Sequence, residues 1–322
     1  MDLVFCGTPQ FAVPTLRALL DHGFSIRLVV TQPDRPSGRG LELTLSPVKS
    51  LAVERGIPVT QPEKIKNNQE FRAQLEAIHP TAIVVVGYGR IIPQWMIDLP
   101  RLGNINLHAS LLPRYRGAAP IQWAIAMGET VTGVTTMRID AGLDTGDMLL
   151  QREMPIAPED TAITLATRLA EMGASLMVET LPALAEGRIQ PRPQDHSQAS
   201  LAPILKKEDG LIDFRMTARQ TCNRLRGFQP WPGIFTIFRG KHLAVTAARP
   251  WATGSPPPEA ATIMVEGDRL LVGCGGSTTL ELLELQLEGK KKMPVRDFIN
   301  GYRPRAGERL GELAAAVPAP RA

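Results

Sequence analysis

Short apolar runs alternate with helical patterns along the first ninety residues, and few folds accommodate this alternation. Strands are predicted at residues 2–6, 26–31 and 81–86. Gly7-Thr8-Pro9 offers an N-cap hydroxyl and a first-turn proline for a helix that ends before Gly23, and Ser46-Pro47 opens a second helix closed by Gly56. The βαβαβ order predicts a Rossmann-like α/β domain, an open and mostly parallel sheet with ligands at the carboxyl ends of its strands.

Length and composition place the chain among soluble globular proteins of about two domains, because its 322 residues are 43% hydrophobic and 21% charged. No apolar run approaches the roughly 18 residues of a membrane-spanning helix, and residues 1–6 have neither a basic leader nor a cleavable apolar region. Cys6, Cys222 and Cys274 form no CxxC pair, so neither a disulfide framework nor a zinc knuckle can be assembled from them. These features predict a cytoplasmic protein without a membrane partner.

Charge is distributed unevenly on the two sides of the Pro-, Gln- and Ser-rich stretch 190–205. Residues 1–190 carry 17 basic and 19 acidic side chains, whereas residues 191–322 carry 19 basic and 13 acidic ones. A net charge of +6 in the second part against −2 in the first favours a polyanionic partner, nucleic acid being the commonest. The alternative is a basic surface that serves solubility alone. The net charge does not distinguish this alternative from binding to a polyanion.

The second part of the chain is predicted to fold differently from the first. After a bridging strand at 206–214 and a helix at 216–228, five short strands and turn-rich connections predict a small, OB-like Greek-key β-barrel. The strands lie near 234–238, 242–247, 262–265, 269–272 and 278–284. A basic stripe is expected along the helix, and Lys290-Lys291-Lys292 adds a further basic run; the stripe consists of Arg215, Arg219, Arg224 and Arg226. Aromatic side chains are few, which favours contact with the phosphates of a duplex over stacking on a single strand.

Two glycine-containing turns in the first part superficially resemble nucleotide-binding loops. Residues 6–10 match such a turn only loosely, and Gly87-Tyr88-Gly89-Arg90 supplies GxG without a third glycine or a Walker lysine. We interpret both as strand-to-helix turns that need glycine for backbone reasons. The sequence therefore does not support NAD or ATP binding.

The segment 103–120, GNINLHASLLPRYRGAAP, predicts a strand with a polar face. Period-two alternation places Asn104, Asn106 and His108 on one face of that strand. The polar, basic and aromatic loop 110–117 follows at its carboxyl end, where this architecture binds substrates. A satisfied structural histidine is the alternative interpretation of His108.

A second polar segment, GLDTGDML at 142–149, places Asp144 between two glycines before an apolar strand. By itself this is equally well an ordinary hairpin turn with Asp as the turn former. Together with Asn106 and His108 it makes an Asn-His-Asp site possible.

The segments INLHASLLPRYRG and GLDTGDML are similar to the active-site segments of the folate-dependent formyltransferase family. Three more stretches resemble the branch of that family that acts on aminoacylated initiator tRNA: FCGTPQFAVPTL, TQPDRPSGRG with SPVK, and LRGFQPWPGIFT. The resemblance covers nearly the whole chain. It implies an enzyme that transfers the formyl group of 10-formyltetrahydrofolate to the α-amine of methionyl initiator tRNA. It further implies a catalytic domain at 1–189, a linker at 190–205, a basic OB-like tRNA-binding domain at 206–315 and a tail at 316–322.

The chemistry of such a transfer also follows from the residue types. An amine that attacks the formyl carbon gives a tetrahedral oxyanion and an ammonium that must lose a proton. Asn106 would donate to the oxyanion, His108 would assist it or relay the proton, and Asp144 would hold the imidazole. Which of His108 and Asp144 accepts the proton is open at this stage. No metal is needed, because the aryl nitrogen already activates the donor amide.

The resemblance places folate against the loop after the polar strand, with two further walls at residues 86–88 and 141–144. The folate-binding residues would be Ser110, Leu111, Leu112 and Pro113, together with Val86, Gly87 and Tyr88. Arginines near this region are expected to be solvated more often than bound to the folate glutamate or to tRNA phosphate; they are Arg90, Arg114 and Arg116.

Contacts with tRNA are expected from both parts of the chain, through Arg35, Arg39, Lys49, Lys206, Lys207, Arg219 and Arg226. The loop 32–47 has no apolar face and should order on binding. It carries Leu41-Glu42-Leu43 where the tRNA enzymes usually have lysines, so its contribution is less electrostatic. Arg39, between two glycines, is predicted to reach the acceptor end and test whether the terminal base pair is open.

Two other functions remain open at the level of sequence. One is a formyltransferase that acts on a sugar-nucleotide amine, and the basic second part argues against it. The other is a non-catalytic nucleic-acid-binding protein, and the intact set of Asn106, His108 and Asp144 argues against that. No obligate protein partner is expected.

Overall fold

The computed structural model describes residues 1–37, 42–252 and 257–311, which form two compact units. The first unit contains residues 1–120, 131–155 and 165–203, and the second contains residues 121–130, 156–164 and the chain from 204 onward. Arg39 and the predicted tail at 316–322 lie outside the described residues. Along the chain, the helices are α1 (Val13–Asp21), α2 (Pro47–Glu54), α3 (Gln69–Ile78), α4 (Gln94–Ile97), α5 (Pro120–Ala126), α6 (Ala162–Ala185), α7 (Ala218–Gly227) and α8 (Val295–Tyr302).

A seven-stranded sheet forms the centre of the first unit, with the strand order β5-β2-β1-β6-β7-β8-β9. The five strands from β5 to β7 are parallel, and β8 and β9 continue the sheet in antiparallel pairing. This confirms the predicted mostly parallel, Rossmann-like sheet. The strands are β1 (Asp2–Gly7), β2 (Ser25–Val30), β5 (Val59–Thr60), β6 (Ala82–Val86), β7 (Asn104–His108), β8 (Val131–Arg138) and β9 (Met148–Pro155).

Two predicted N-caps have different outcomes. Ser46 caps α2 as expected, because its side chain accepts a hydrogen bond from the amide of Lys49. Thr8 is not an N-cap, since a 3₁₀ turn at Gln10–Ala12 precedes α1 and the α-helix begins at Val13. The Thr8 hydroxyl instead accepts from the backbone amide of Gln32 at 3.3 Å, which ties the first loop to the end of β2.

The loop predicted at 32–47 contains regular structure at both ends. Strands β3 (Arg35–Ser37) and β4 (Glu42–Thr44) pair in antiparallel register, with Arg35 opposite Thr44. The segment predicted as a loop therefore contains a short two-stranded sheet at these residues. Residues 38–41 lie outside the described part of the chain.

The segment predicted as a linker is hydrogen bonded to the sheet unit over much of its length. Arg192 exchanges two backbone hydrogen bonds of 2.8 Å with Met148 on β9, and Ala202 donates to the carbonyl of Arg116 at 2.7 Å. Contacts of this kind assign the chain to the first unit as far as Pro203.

The second unit is built around an antiparallel sheet with the order β10-β11-β14-β13-β12, to which β15 adds by pairing with β14. Five of these strands confirm the predicted ones: β10 (Ile234–Phe238), β11 (Lys241–Trp251), β12 (Ile263–Glu266), β13 (Arg269–Cys274) and β14 (Thr278–Leu287). The short strand β15 (Met293–Pro294) was not predicted. Residues 307–311 form backbone hydrogen bonds to both edge strands of this sheet. The amide of Ile263 on β12 donates to the Glu308 carbonyl, and the amide of Gly311 donates to the Ile237 carbonyl on β10. The sheet is thereby bridged edge to edge, as a small barrel requires.

The bridging strand predicted at 206–214 is wrong. A 3₁₀ helix at Lys207–Gly210 occupies this segment, and a single bridge between Leu211 and Phe235 is its only sheet pairing among the described residues. The helix predicted next is present as α7, which begins at a capping box formed by Thr217 and Gln220. No helix in the described part of the chain combines the length and apolar character needed to span a bilayer.

Candidate active site

The polar strand β7 lies between β6 and β8 and carries the predicted catalytic side chains. His108 is 6% exposed and Asn106 is half-buried on the same face. Asn104, also on that face, has a structural role, because its amide donates to the carbonyls of Met96 and Ile97 at 2.8 and 3.2 Å. The side-chain amide of Asn106 makes no hydrogen bond to any described residue, so this side chain is available to a ligand.

His108 and Asp144 are brought together from positions 36 residues apart. The Nδ1 atom of His108 lies 3.6 Å from Oδ2 of Asp144, and Nε2 lies 2.9 Å from the carbonyl oxygen of Tyr115. A carbonyl oxygen only accepts hydrogen bonds, so Nε2 carries a hydrogen. Nδ1, beside the carboxylate, is therefore the nitrogen that can take up or release a proton.

Asp144 lies in the turn between the antiparallel strands β8 and β9, with a left-handed φ of 51°. Asp140 stabilises the turn by accepting hydrogen bonds from the Gly142 amide and the Thr145 hydroxyl. Gly146 has no room for a side chain, because a Cβ there would overlap the carbonyl oxygen of Arg138. The segment is thus a hairpin turn that also places the Asp144 carboxylate beside His108. The two interpretations of the sequence, a hairpin turn and a part of an Asn-His-Asp site, are therefore compatible.

Two residues of the antiparallel strands hold the loop after β7, and sequence reasoning missed both. The Thr135 hydroxyl donates to the Ser110 carbonyl at 2.7 Å and accepts from the Leu112 amide at 3.2 Å. Gln151 donates to the carbonyl of Leu112 at 2.8 Å. No local signal marks either residue, since each bonds to backbone atoms 23 or more residues away.

The predicted folate-binding residues fall into two groups. Ser110 and Leu112 are buried, and the Ser110 hydroxyl closes the loop by donating to the Arg114 carbonyl at 2.6 Å. Leu111 and Pro113 are half-buried and retain surface for a ligand.

Residues 86–88, predicted as a further wall of the folate site, expose mainly backbone atoms to a ligand. Tyr88 is 1% exposed, and its ring packs in the apolar cluster with Cys6, Leu28 and Met96. Its carbonyl accepts from the side chain of Gln32 at 2.8 Å. Val86 is also fully buried, so neither side chain exposes surface to a ligand here, whereas Gly87 is exposed. Gly87 and Gly89 have φ values of 56° and 73°, which confirms that these glycines serve the backbone of a turn.

The predicted tRNA-binding cations differ in their surroundings. Lys206, Lys207 and Arg219 are exposed and form no ion pair among the described residues. Lys49 is partly buried and contacts Asp34 and Gln61, and its hydrogen bond to Asp34 lowers the pKa of that carboxyl. The side chains of Arg35 and Arg39 lie outside the described set.

Arg226 is engaged within its own unit. Its guanidinium donates to the Asp160 carbonyl at 2.7 Å and to the Asn223 side chain at 2.9 Å. Partial burial lowers the pKa of Arg226. Arg224 likewise donates to the carbonyl of Asp209 and lies over the ring of Phe228. The predicted basic stripe is therefore not a continuous solvated surface.

Arg116 corrects the expectation of a solvated arginine, because it is only 7% exposed. Its guanidinium donates twice to the side-chain oxygen of Gln194, at 3.0 and 2.7 Å. Gln194 comes from the predicted linker and was not singled out by the sequence. The two other arginines are partly or fully exposed, and Arg90 donates to the carbonyl of Glu63.

Comparison with known proteins agrees with this arrangement. Residues 1–181 match the model of the formyl transferase family, and residues 204–303 match the model of the formyl transferase C-terminal domain. A methionyl-tRNA formyltransferase of Koribacter versatilis (strain Ellin345) is 68% identical over 315 residues, covering 98% of this chain and 100% of the relative. The enzyme of the same name from Acidobacterium capsulatum is 62% identical over 311 residues, covering 97% and 100%.

Solved structures show a likeness in fold at much lower identity. WlaRD, a sugar 3N-formyl transferase crystallised in the presence of dTDP and 5-N-formyl-THF, matches with a TM-score of 0.65 at 18% identity, covering 90% of this chain and 99% of that chain. The relatives and the two family models together confirm the family that the motifs indicated. The chain belongs to the formyl transferase family.

Proposed function

We propose that this enzyme transfers the formyl group of 10-formyltetrahydrofolate to the α-amine of methionine carried by initiator tRNA. The observation that carries the proposal is the placement of His108 Nδ1 at 3.6 Å from Asp144 Oδ2, beside an Asn106 amide with no partner among the described residues. Highly identical relatives named methionyl-tRNA formyltransferase support the same acceptor.

In the proposed reaction the methionine amine attacks the formyl carbon, and the bond from that carbon to the folate nitrogen breaks. The amine proton passes to Nδ1 of His108, because Nε2 already donates to Tyr115. Asp144 stabilises the resulting imidazolium, and its Oδ2 is oriented by a 2.8 Å hydrogen bond from the Gly117 amide. Nδ1 of His108 then returns this proton to the departing folate nitrogen, which leaves tetrahydrofolate, formylmethionyl-tRNA and a neutral imidazole.

Asn106 donates to the oxyanion of the tetrahedral intermediate. It lies two residues before His108 on the same face of β7, about 6.6 Å away along the strand. This spacing allows a formyl group to lie between an amide donor and the imidazole. A preorganised donor of this kind contributes roughly 100- to 1000-fold in rate.

Folate is proposed to contact Leu111 and Pro113 through their side chains and Gly87 through its backbone. The hydrogen bonds from Thr135 and Gln151 fix the loop that carries the first two. Ser110 and Leu112 contribute indirectly by holding the loop closed. Backbone groups in a fixed loop suit the hydrogen-bonding edge of a pterin.

Binding of tRNA is proposed to use the exposed cations of the second unit, above all Lys206, Lys207 and Arg219. Arg35 and Arg39 stay predicted contacts on the 32–47 segment. Lys49 and Arg226 are weaker candidates, because each already bonds to groups of its own unit. The functional boundaries at 189, 205 and 315 also stay predictions.

The proposal is tested by incubating the purified protein with 10-formyltetrahydrofolate and either methionyl initiator tRNA or a dTDP-amino sugar. Formylmethionine should form on the tRNA and formyl-sugar should not. Asn106→Ala should lower the rate of the tRNA reaction by roughly 100-fold or more. Formylation of the sugar alone would support the alternative acceptor, and no turnover with either would support a non-catalytic protein.

A further inference from the structure

Gln194 is a buried amide that connects the turn of Asp144 to Arg116. It is 5% exposed, and its Nε2 donates to the carbonyls of Asp144 and Gly146 at 2.8 and 2.7 Å. Its Oε1 accepts from Nε and Nη2 of Arg116 at 3.0 and 2.7 Å. Both donors and both acceptor positions of the amide are therefore used, and the partners fix its orientation because carbonyls only accept and guanidinium only donates.

The residues that Gln194 holds are the ones that position the carboxylate. Asp144 has a φ of 51°, a left-handed conformation that is unfavourable for a residue with a side chain. Two donors aimed at the carbonyls of Asp144 and Gly146 oppose relaxation of this turn. Without them, the Gly146 carbonyl would lose this partner in a buried position and the Asp144 carbonyl would lose it in a partly buried one.

Gln194 is also linked, through Arg116, to the backbone amide that orients the side chain of Asp144. Arg116 precedes Gly117, whose amide donates to Asp144 Oδ2 at 2.8 Å. The Arg116 backbone is itself fixed, since its amide donates to the Ser200 carbonyl at 2.8 Å. Gln194 thus couples the backbone of Asp144 to the segment that orients its side chain.

We infer that Gln194, held by Arg116, is a positioning residue that keeps Asp144 Oδ2 against His108 Nδ1 during turnover. This rests on the proposed catalytic role of Asp144. Gln194 donates two hydrogen bonds to the turn of Asp144 and accepts two from Arg116. It does so from a segment that is far from the catalytic motifs in sequence. A loosened turn would displace a reacting group, which can lower a rate by roughly 100-fold for a shift of about 1 Å.

The test compares Gln194→Ala and Gln194→Glu in the full-length enzyme. Glu keeps an acceptor for Arg116 but removes both donors to the turn, so it isolates the bonds to Asp144 and Gly146. Both variants should lower kcat by roughly 10- to 100-fold and leave KM for each substrate within about threefold. A normal kcat in Gln194→Glu would overturn the inference.

Thr180→Val is the matched control for general destabilisation. Thr180 is fully buried in the same unit, and its hydroxyl bonds to Thr136 at 2.9 Å and to the Leu176 carbonyl at 2.6 Å, with no bond to the catalytic residues. This variant should lower the melting temperature but keep kcat. An equal loss of kcat in Thr180→Val would mean that Gln194 acts through overall stability, which would contradict the inference.

A double variant separates this inference from the proposed function. In an Asp144→Asn background, Gln194→Ala should change the residual kcat by less than about threefold, because the group that it positions is already absent. If instead the two substitutions lower kcat by factors that multiply, the positioning role of Gln194 is refuted and the catalytic role of Asp144 is not. Normal turnover in Asp144→Asn by itself would refute the catalytic assignment of Asp144.

Discussion

The two units use their polar side chains in different ways. In the first, neutral side chains with little exposure bond to loop backbone around the active site: Thr135 is 0% exposed, Ser110 is 1% and Gln194 is 5%. In the second, many polar contacts are ion pairs near the surface, such as Arg239 with Glu308, whose side chains are 45% and 22% exposed.

This difference matters because hydrogen bonds in a dry interior fix geometry and are expensive to leave unmade, whereas exposed ion pairs typically contribute about 0–1 kcal/mol. The first unit is therefore suited to holding reacting groups in place. The second keeps much of its basic charge in water, and Lys206, Lys207 and Arg219 remain available to a polyanion.

The largest effect is expected from the reacting group in the first unit. His108→Ala should lower kcat by roughly 100- to 10,000-fold, since it removes the nitrogen that accepts the amine proton. Binding of tRNA, measured separately by filter binding or anisotropy, should stay within about threefold because phosphate contacts dominate it. His22→Ala is the matched control, as His22 is exposed and bonds to Ala18 at the end of α1. A His108→Ala enzyme with near-normal kcat would show that proton transfer uses another group.

Removal of a buried hydroxyl should have the next largest effect. Thr135→Val leaves the Leu112 amide and the Ser110 carbonyl without their bonds, which should cost about 1–3 kcal/mol of unfolding free energy and raise KM for the folate substrate. Thr132→Val is the control on the same strand, because Thr132 is also buried but makes no hydrogen bond to that loop in the described chain. Equal KM values in the two variants would argue against a role of the loop in folate binding.

In the second unit, an exposed and an internally bonded arginine should respond differently to the same substitution. Arg219→Gln should reduce the slope of log affinity for tRNA against log salt by about 1 while leaving the melting temperature unchanged. Arg226→Gln should lower the melting temperature, because it loses its bond to the Asp160 carbonyl, and should change the salt slope little. The opposite pattern would mean that Arg226 contacts phosphate and Arg219 stabilises the fold.

The smallest expected effect concerns the ion pair of Glu308. Hydrogen bonds from Arg239 hold the pKa of Glu308 below its ordinary value. A lowered pKa in the folded state means that the pair contributes fully above the ordinary Glu pKa of about 4.3, and that its contribution is lost as pH falls through the folded-state pKa.

Glu308→Gln should therefore lower the melting temperature by about 2 to 4 °C at pH 7, and the difference from the parent protein should shrink as pH falls below about 4. Glu266→Gln, at an exposed position on β12, should show no such pH-dependent difference. A difference for Glu308→Gln that stays constant from pH 7 to pH 3 would contradict the role of the charge.

Local sequence patterns predicted most strands of the two main sheets, and they named Asn106, His108 and Asp144 as candidates for the site. Alternation along β7 placed Asn106 and His108 on one face, and this pattern is local, because successive side chains of a strand point to opposite sides. Turn residues bracketed Asp144, and the strands of the second unit were found from β-forming runs between turns. The predicted strand at 206–214 failed because the segment forms a 3₁₀ turn and, within the described chain, pairs with β10 only at Leu211.

Tertiary structure alone decided which polar residues support the site. Thr135, Gln151, Arg116 and Gln194 have no local pattern in common, and Arg116 was expected in solvent. Their partners are mostly backbone amides and carbonyls or side chains distant in sequence, such as Gln194 with Asp144, 50 residues apart. The direction of a backbone group is fixed only when the chain has folded, so its partner cannot be recognised by spacing along the sequence.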